Sequence, residues 1–167
     1  MPLPGDVDLV LASELMEAGR AVQRGLVTPD RTTLVASSHR VYSIAEKAAM
    51  GDGRADSAGL LAHARGAAKR LVCFDMAQAA DDAGSVISAV LFGALAGTGA
   101  LPFSRAQFEA TIERGGVGVK PSLRAFAAAY ERGVAGVESK PVDVVAAPAA
   151  PAPRDARVRA LLDRIQQ

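Results

Sequence analysis

The stretch Gly84–Pro102, GSVISAVLFGALAGTGALP, carries no charged residue. Val86, Ile87, Val90, Leu91 and Leu95 recur at helical spacing on one side. Ala89, Gly93 and Gly97 make a second, smooth side, where another backbone can approach closely. A helix apolar on both sides is buried on both sides, so other segments must cover this one. A membrane span needs about 20 mostly apolar residues. This run is shorter and turns Gly-rich before Pro102, which is expected to end it. The expectation is a core helix packed across a sheet, not a membrane segment.

Outward from that helix, strands and helices alternate. Val7–Ala12 (VDLVLA) is a short apolar run after Pro4-Gly5-Asp6 and reads as a strand buried on both faces, as in a parallel sheet. Ser13 is the expected cap of a helix over Glu14–Arg24, with Leu15, Ala18 and Val22 as its apolar face. Thr32–Ala36 is a second strand. Ser43–Ala49 reads as a short helix broken by Gly51-Asp52-Gly53. Asp56 or Ser57 opens a helix running to about Lys69, with Leu60, Leu61, Ala64 and Ala68 inward. Arg70–Asp75 (RLVCFD) is a third strand, and Met76–Ala83 is helical. Ser85 is a possible cap for the core helix. Ser104 caps a helix over Arg105–Arg114 anchored by Phe108 and Ile112, and Ser122–Arg132 is an amphipathic helix carrying Leu123, Phe126 and Tyr130.

This order predicts an α/β, three-layer, Rossmann-like parallel sheet with flanking helices. Three strands are few for such a sheet, so it is expected to be incomplete on its N-terminal side. The domain spans residues 5–132. A Pro/Ala-rich linker follows over 133–153, then a helical segment over 154–167 with Val158, Leu161, Leu162 and Ile165 on one stripe.

Composition removes several function classes. With 19 basic and 18 acidic residues the net charge is +1, which leaves no electrostatic footprint for nucleic acid or an anionic membrane. Aromatics are 4% and Trp is absent, so a base-stacking platform is not expected. The single cysteine, Cys73, cannot form an internal disulfide or alone hold an iron–sulfur cluster, and it suits a reducing cytoplasm. It reads as a small buried hydrophobe in a strand. The start MPLPGDVDLVLAS lacks a signal-peptide pattern.

Motif candidates mostly fail on chemistry. Gly51-Asp52-Gly53 matches the start of a thiamine-diphosphate magnesium motif, but that site needs an Asn as well, and the chain has none. Gly115–Lys120 lacks the Gly-Lys-Ser/Thr of a phosphate loop. Gly93, Gly97 and Gly99 lie in and after a helix, not between a strand and a helix start. His63 reads as a solvated helix residue. The densest polar cluster is Ser37, Ser38, His39, Arg40 and Tyr42, with Lys47 within possible reach. It follows a strand at the carboxyl edge, where open α/β sheets bind ligands. Hydroxyls and a guanidinium suit a carboxylate or phosphate; a loop and interface patch without ligand is the other reading.

The run DVDLVLASELMEAGRAVQRGLVTPDRTTLVASSHRVYSIAEKAAMGDGRADS, with GSVISAVLFGALAGTGALPFSRAQFEATIERGGVGV after it, resembles the gamma-type domain of the 2-oxoacid:ferredoxin oxidoreductases, and among them the beta subunits of the indolepyruvate type. The most distinctive pieces are ASELMEAGRA, SSHRVYSIAEK, MGDGRADS and the Gly84–Pro102 run. The resemblance implies a part in oxidative decarboxylation of an aryl 2-oxoacid, with coenzyme A as co-substrate and ferredoxin as electron acceptor. It implies that thiamine diphosphate, Mg and the iron–sulfur clusters sit on a partner alpha subunit, that this chain supplies no catalytic or metal-binding residue, and that it pairs with that subunit as a heteromer; self-association of the chain is a separate expectation. The family's opening strand with its GGxGG-like turn, and a Gln-Arg-Thr-Gly stretch, have no counterpart here. The chain is therefore expected to be the C-terminal part of a larger α/β domain. A small-molecule-binding α/β module of regulatory role, taking a nucleotide or coenzyme A at the Ser37–Tyr42 loop, is the alternative.

Overall fold

The computed structural model describes residues 2–40 and 56–136. The expected helix at Ser43–Ala49, site candidates Tyr42 and Lys47, and the segments over 137–167 lie outside the described residues. Three apolar runs become parallel strands: β1 (Leu9–Ala12), β2 (Thr33–Ser37) and β3 (Arg70–Phe74), in the order β1-β2-β3. Val10 pairs with Leu34, and Leu34 with Leu71.

Six helices are described: α1 (Leu15–Gln23), α2 (Ser57–Ala67), α3 (Met76–Asp82), α4 (Ile87–Thr98), α5 (Arg105–Gly115) and α6 (Val119–Ala135). Side chains alternate across the sheet, and this alternation sorts the helices into layers. Leu34, Ala36, Leu71 and Cys73 pack with Ala18 of α1 and with Leu61 and Ala64 of α2. Val35, Val72 and Phe74 face the other way, onto Met76 and Ala80 of α3, Val90 and Ala94 of α4, and Ala125 and Ala129 of α6. The result is an α/β fold with a three-stranded parallel sheet between two helical layers, consistent with an incomplete Rossmann-like arrangement.

The core helix packs on the sheet through Val90 and Ala94, as expected, and its smooth side meets another backbone, that of a helix. Gly93 and Gly97 press against the backbone of α6, and a Cβ built at Gly93 would sit 2.2 Å from the carbonyl oxygen of Phe126. At Gly97 it would sit 2.2 Å from that of Tyr130. Gly133 returns the contact, since its Cβ would meet the Ala94 carbonyl at 2.4 Å. Gly133 is therefore inside α6, which continues past the expected end at Arg132 to Ala135. The same helix starts earlier than expected, at Val119. Pro121 is tolerated because the first-turn N–H groups have no intrahelical acceptor.

Several ends also differ. α4 stops at Thr98 because Gly99 takes a left-handed conformation, φ +67°, ahead of Pro102. Its N-cap is Val86, not Ser85; the Ser85 hydroxyl instead lies 3.4 Å from that of Ser122. Glu14, not Ser13, caps α1. β1 is not buried on both faces: among the described residues it pairs with β2 alone, and Leu11 is 46% exposed. Ser104 opens α5 through a capping box with Gln107, as its spacing implies.

Arg70, at the start of β3, closes the helical pair. Its guanidinium donates to the carbonyl of Thr98 at 2.8 Å and to that of Gly133 at 2.7 Å, at the C-terminal ends of α4 and α6. A cation there complements both helix dipoles. No single helix among the described residues is long and apolar enough to cross a membrane. The twelve residues of α4 span about 18 Å, against a hydrocarbon core of about 30 Å.

Candidate functional site

The carboxyl ends of β2 and β3 and the starts of α1, α2 and α3 meet around Ser37, Ser38, His39 and Arg40. Ser37 is fully buried and its hydroxyl is a hub. It accepts from the N–H of Met76 at 3.0 Å and of His39 at 3.4 Å, and lies 2.8 Å from His39 Nδ1. A hydroxyl has two acceptor lone pairs and one proton. The two backbone donors use the lone pairs, which leaves the hydroxyl proton for Nδ1. The Ser–His spacing mimics a nucleophile and its base, but this hydroxyl is committed to the scaffold and shielded from any substrate.

Ser38 extends the ladder, its N–H donating to the Phe74 carbonyl at 2.9 Å. Its own hydroxyl is buried with no hydrogen-bond partner among the described residues. The His39 carbonyl accepts from the Leu15 N–H at 3.1 Å, which fastens the loop to the start of α1. Arg40 reaches both neighbouring helices, donating to Ser57 Oγ at 3.1 Å and contacting Met16 Sδ at 3.5 Å. The structure thus brings four of the six candidates together, with Ser57, Met16 and Met76 added.

Three carboxylates absent from the candidate set surround this cluster. Glu14 accepts from the Met16 N–H at 3.0 Å, Asp56 from the Ala58 N–H at 2.9 Å, and Asp75 from the Gln78 N–H at 2.9 Å. Each satisfies the start of the helix it precedes. Anions favour helix N-termini, but at α1, α2 and α3 a side-chain carboxylate already holds that position. A phosphate would meet like charge at all three, which weighs against a nucleotide at this edge. Asp56 and Asp75 were legible as Asp just ahead of a helical pattern. Glu14 was not, because Ser13 is the stronger capping residue by type.

Cys73 is fully buried, packed toward α1 and α2, and one thiolate cannot hold a cluster. No group of three or more His, Cys, Asp or Glu side chains among the described residues can hold a metal ion.

Two hollows lie beside and beyond the cluster. One, of about 420 Å³, runs between α1 and α2 and is lined by Met16, Gly19, Leu60 and His63 among others. Glu17 and Arg20 are hydrogen-bonded at its rim, and that bond chiefly holds the Glu17 carboxyl below its ordinary pKa. The other, of about 410 Å³, lies over α4 and α5 and is lined by Phe92, Phe103 and Phe108. No spacing in the sequence singled it out. Compared with protein-family models, with curated proteins and with solved structures, the chain matches none.

Proposed function

We propose that this chain is a non-catalytic subunit of a cytoplasmic 2-oxoacid:ferredoxin oxidoreductase of the indolepyruvate type. It docks on an alpha subunit that carries thiamine diphosphate, Mg and the iron–sulfur clusters. The complex converts an aryl 2-oxoacid, coenzyme A and oxidised ferredoxin to the acyl-CoA, carbon dioxide and reduced ferredoxin. The role of this chain is to complete and shape the assembly.

One observation carries the proposal. Three of the distinctive sequence pieces, far apart in the chain, meet at Arg40. Arg40 belongs to SSHRVYSIAEK; it bonds Ser57 at the end of MGDGRADS and touches Met16 within ASELMEAGRA. The pieces that carry the resemblance converge on one polar junction, which favours a common assembly surface over independent local turns. The committed hydroxyl of Ser37 and the lone buried Cys73 agree with a supporting role rather than a catalytic one.

Co-expression with the subunit bearing a thiamine motif and cysteine clusters tests this. The expected outcome is a co-purifying brown complex that reduces ferredoxin only with indolepyruvate and coenzyme A. Arg40→Ala is expected to weaken subunit affinity or turnover. Full activity of the alpha subunit alone, or an Arg40→Ala complex unchanged in both, refutes the reading.

A further inference from the structure

The hollow over α4 and α5 has a composition that selects its ligand. Its apolar wall is three phenyl rings. Phe92 and Phe108 meet edge to face, with centroids 4.9 Å apart at 67°, and Phe103 meets Phe108 at 6.1 Å and 80°. Phe108 is buried, whereas Phe103 is 56% exposed despite being a large aromatic on a well-packed chain. These rings offer no hydrogen bond, so the body of a guest must be apolar, and aromatic by the preference of rings for one another.

The polar wall is one stripe of α5. Gln107, Thr111 and Arg114 follow each other four and three residues apart, on a single helix face. Gln107 Oε1 is occupied by the N–H of Ser104 at 2.8 Å and its hydroxyl at 3.1 Å. The amide NH₂ of Gln107 is left as a donor. Thr111 gives its proton to the Gln107 carbonyl at 2.9 Å and accepts from Arg114 Nη2 at 3.0 Å, which steadies the guanidinium along the stripe. Arg114 makes no ion pair among the described residues. The two side-chain groups left to a guest, the Gln107 amide and the Arg114 guanidinium, are donors, and one is a cation; no carboxylate side chain lines the hollow.

We propose that this hollow binds a small aromatic carboxylic acid, its ring among Phe92, Phe103 and Phe108 and its carboxylate on Arg114 and the Gln107 amide. The volume of about 410 Å³ lies in the range of small-molecule sites, and a guanidinium fork matches a carboxylate. The proposal stands on α4 and α5 alone and holds whether or not the chain joins an oxidoreductase.

The test uses the full chain and indole-3-acetate as the probe. The protein contains no Trp, so the probe's indole fluorescence, excited beyond the Tyr absorption, is read without a competing indole from the protein. Saturable binding is expected with a Kd on the order of 0.1–1 mM, as befits a ligand of this size. Indole-3-acetamide, which keeps the ring and loses the charge, is expected to bind about tenfold more weakly or worse, and acetate not detectably. Arg114→Gln should reproduce the acetamide loss. Phe103→Ser, at an exposed position, should weaken binding several-fold with an unchanged thermal melt. No saturation by about 10 mM probe overturns the proposal, as does indole-3-acetamide binding as tightly as indole-3-acetate, or affinity unaffected by both variants.

Discussion

Gly93→Ala puts a methyl group where the structure has no room. The new Cβ would lie 2.2 Å from the Phe126 carbonyl oxygen and 2.8 Å from its Cα. Real Cβ atoms essentially never come closer than 3.0 Å to such neighbours, so a displacement of at least 0.8 Å (3.0 less 2.2) is required. The obstacle is backbone in the middle of α6 and cannot rotate away. α4 and α6 must separate, which loosens Val90, Ala94, Ala125 and Ala129 together. A radial gap of 0.5–1 Å forfeits about a quarter to a half of each dispersion contact, and overpacking of this kind costs about 1–3 kcal/mol. Ala returns about 0.5–1 kcal/mol through helix propensity, so a net loss of up to about 2.5 kcal/mol is expected. Gly66→Ala is the internal control: it lies in α2 with nothing within 4 Å of its Cβ, so propensity acts alone and stabilises by about 0.5–1 kcal/mol. Urea melts of the two variants should therefore move in opposite directions, with the slope unchanged. Gly93→Ala matching or exceeding Gly66→Ala in stability would show that α4 and α6 do not touch through their backbones. Gly97→Ala should behave like Gly93→Ala, and the double variant should cost less than the sum, since one separation relieves both clashes.

Further outcomes follow from single contacts. Ser37→Ala removes the buried acceptor of the Met76 N–H and should destabilise by about 1–3 kcal/mol in a denaturant melt; a variant within error of the parent would place that N–H on another acceptor. Arg70→Met leaves two helix-end carbonyls without their shared donor and should lower stability by about 1.5–3 kcal/mol, with Arg70→Lys recovering only part; equal stability of the Met and Lys variants would refute the two-carbonyl role. At the sheet's amino end, Arg31 bonds Asp8 at 2.7 Å and Asp6 at 2.8 Å. The Arg31 hydrogen bond, then its charge, lowers the Asp8 pKa. The small stabilisation from this exposed pair is full above the unfolded-state pKa of about 3.9 and fades as the pH falls through the lower folded value. NMR titration should find Asp8 below the ordinary carboxylate value and returning toward it in Arg31→Ala; an unmoved Asp8 would mean that the pair does not persist in solution.

Local pattern alone determined the element order. Apolar runs and 3.6-residue periodicity placed all three strands and the described helices to within a few residues at most ends. The alternation of strand and helix was enough for an α/β fold with a parallel sheet. The smooth side of Gly84–Pro102 was equally legible, because small residues at i, i+4 and i+8 are a local fact. What that side touches was not local. Gly93 and Gly97 meet Phe126 and Tyr130 more than thirty residues later, and only the folded chain shows that the contact is helix on helix. The same limit applies to the polar edge. Composition singled out Ser37–Arg40, but Ser37 became a structural hub only because the start of α3 brings Met76 to it. Arg40 became a junction because α1 and α2 begin beside it. The aromatic hollow depends most on tertiary structure: Phe92, Phe103 and Phe108 have no common period, and the turn after Gly99, with Phe126 of α6 packed behind Phe92 and Phe108, sets them around one space. Hydrophobic period is written in neighbouring residues, whereas pairing between distant elements is decided by how their surfaces fit once all of them are present.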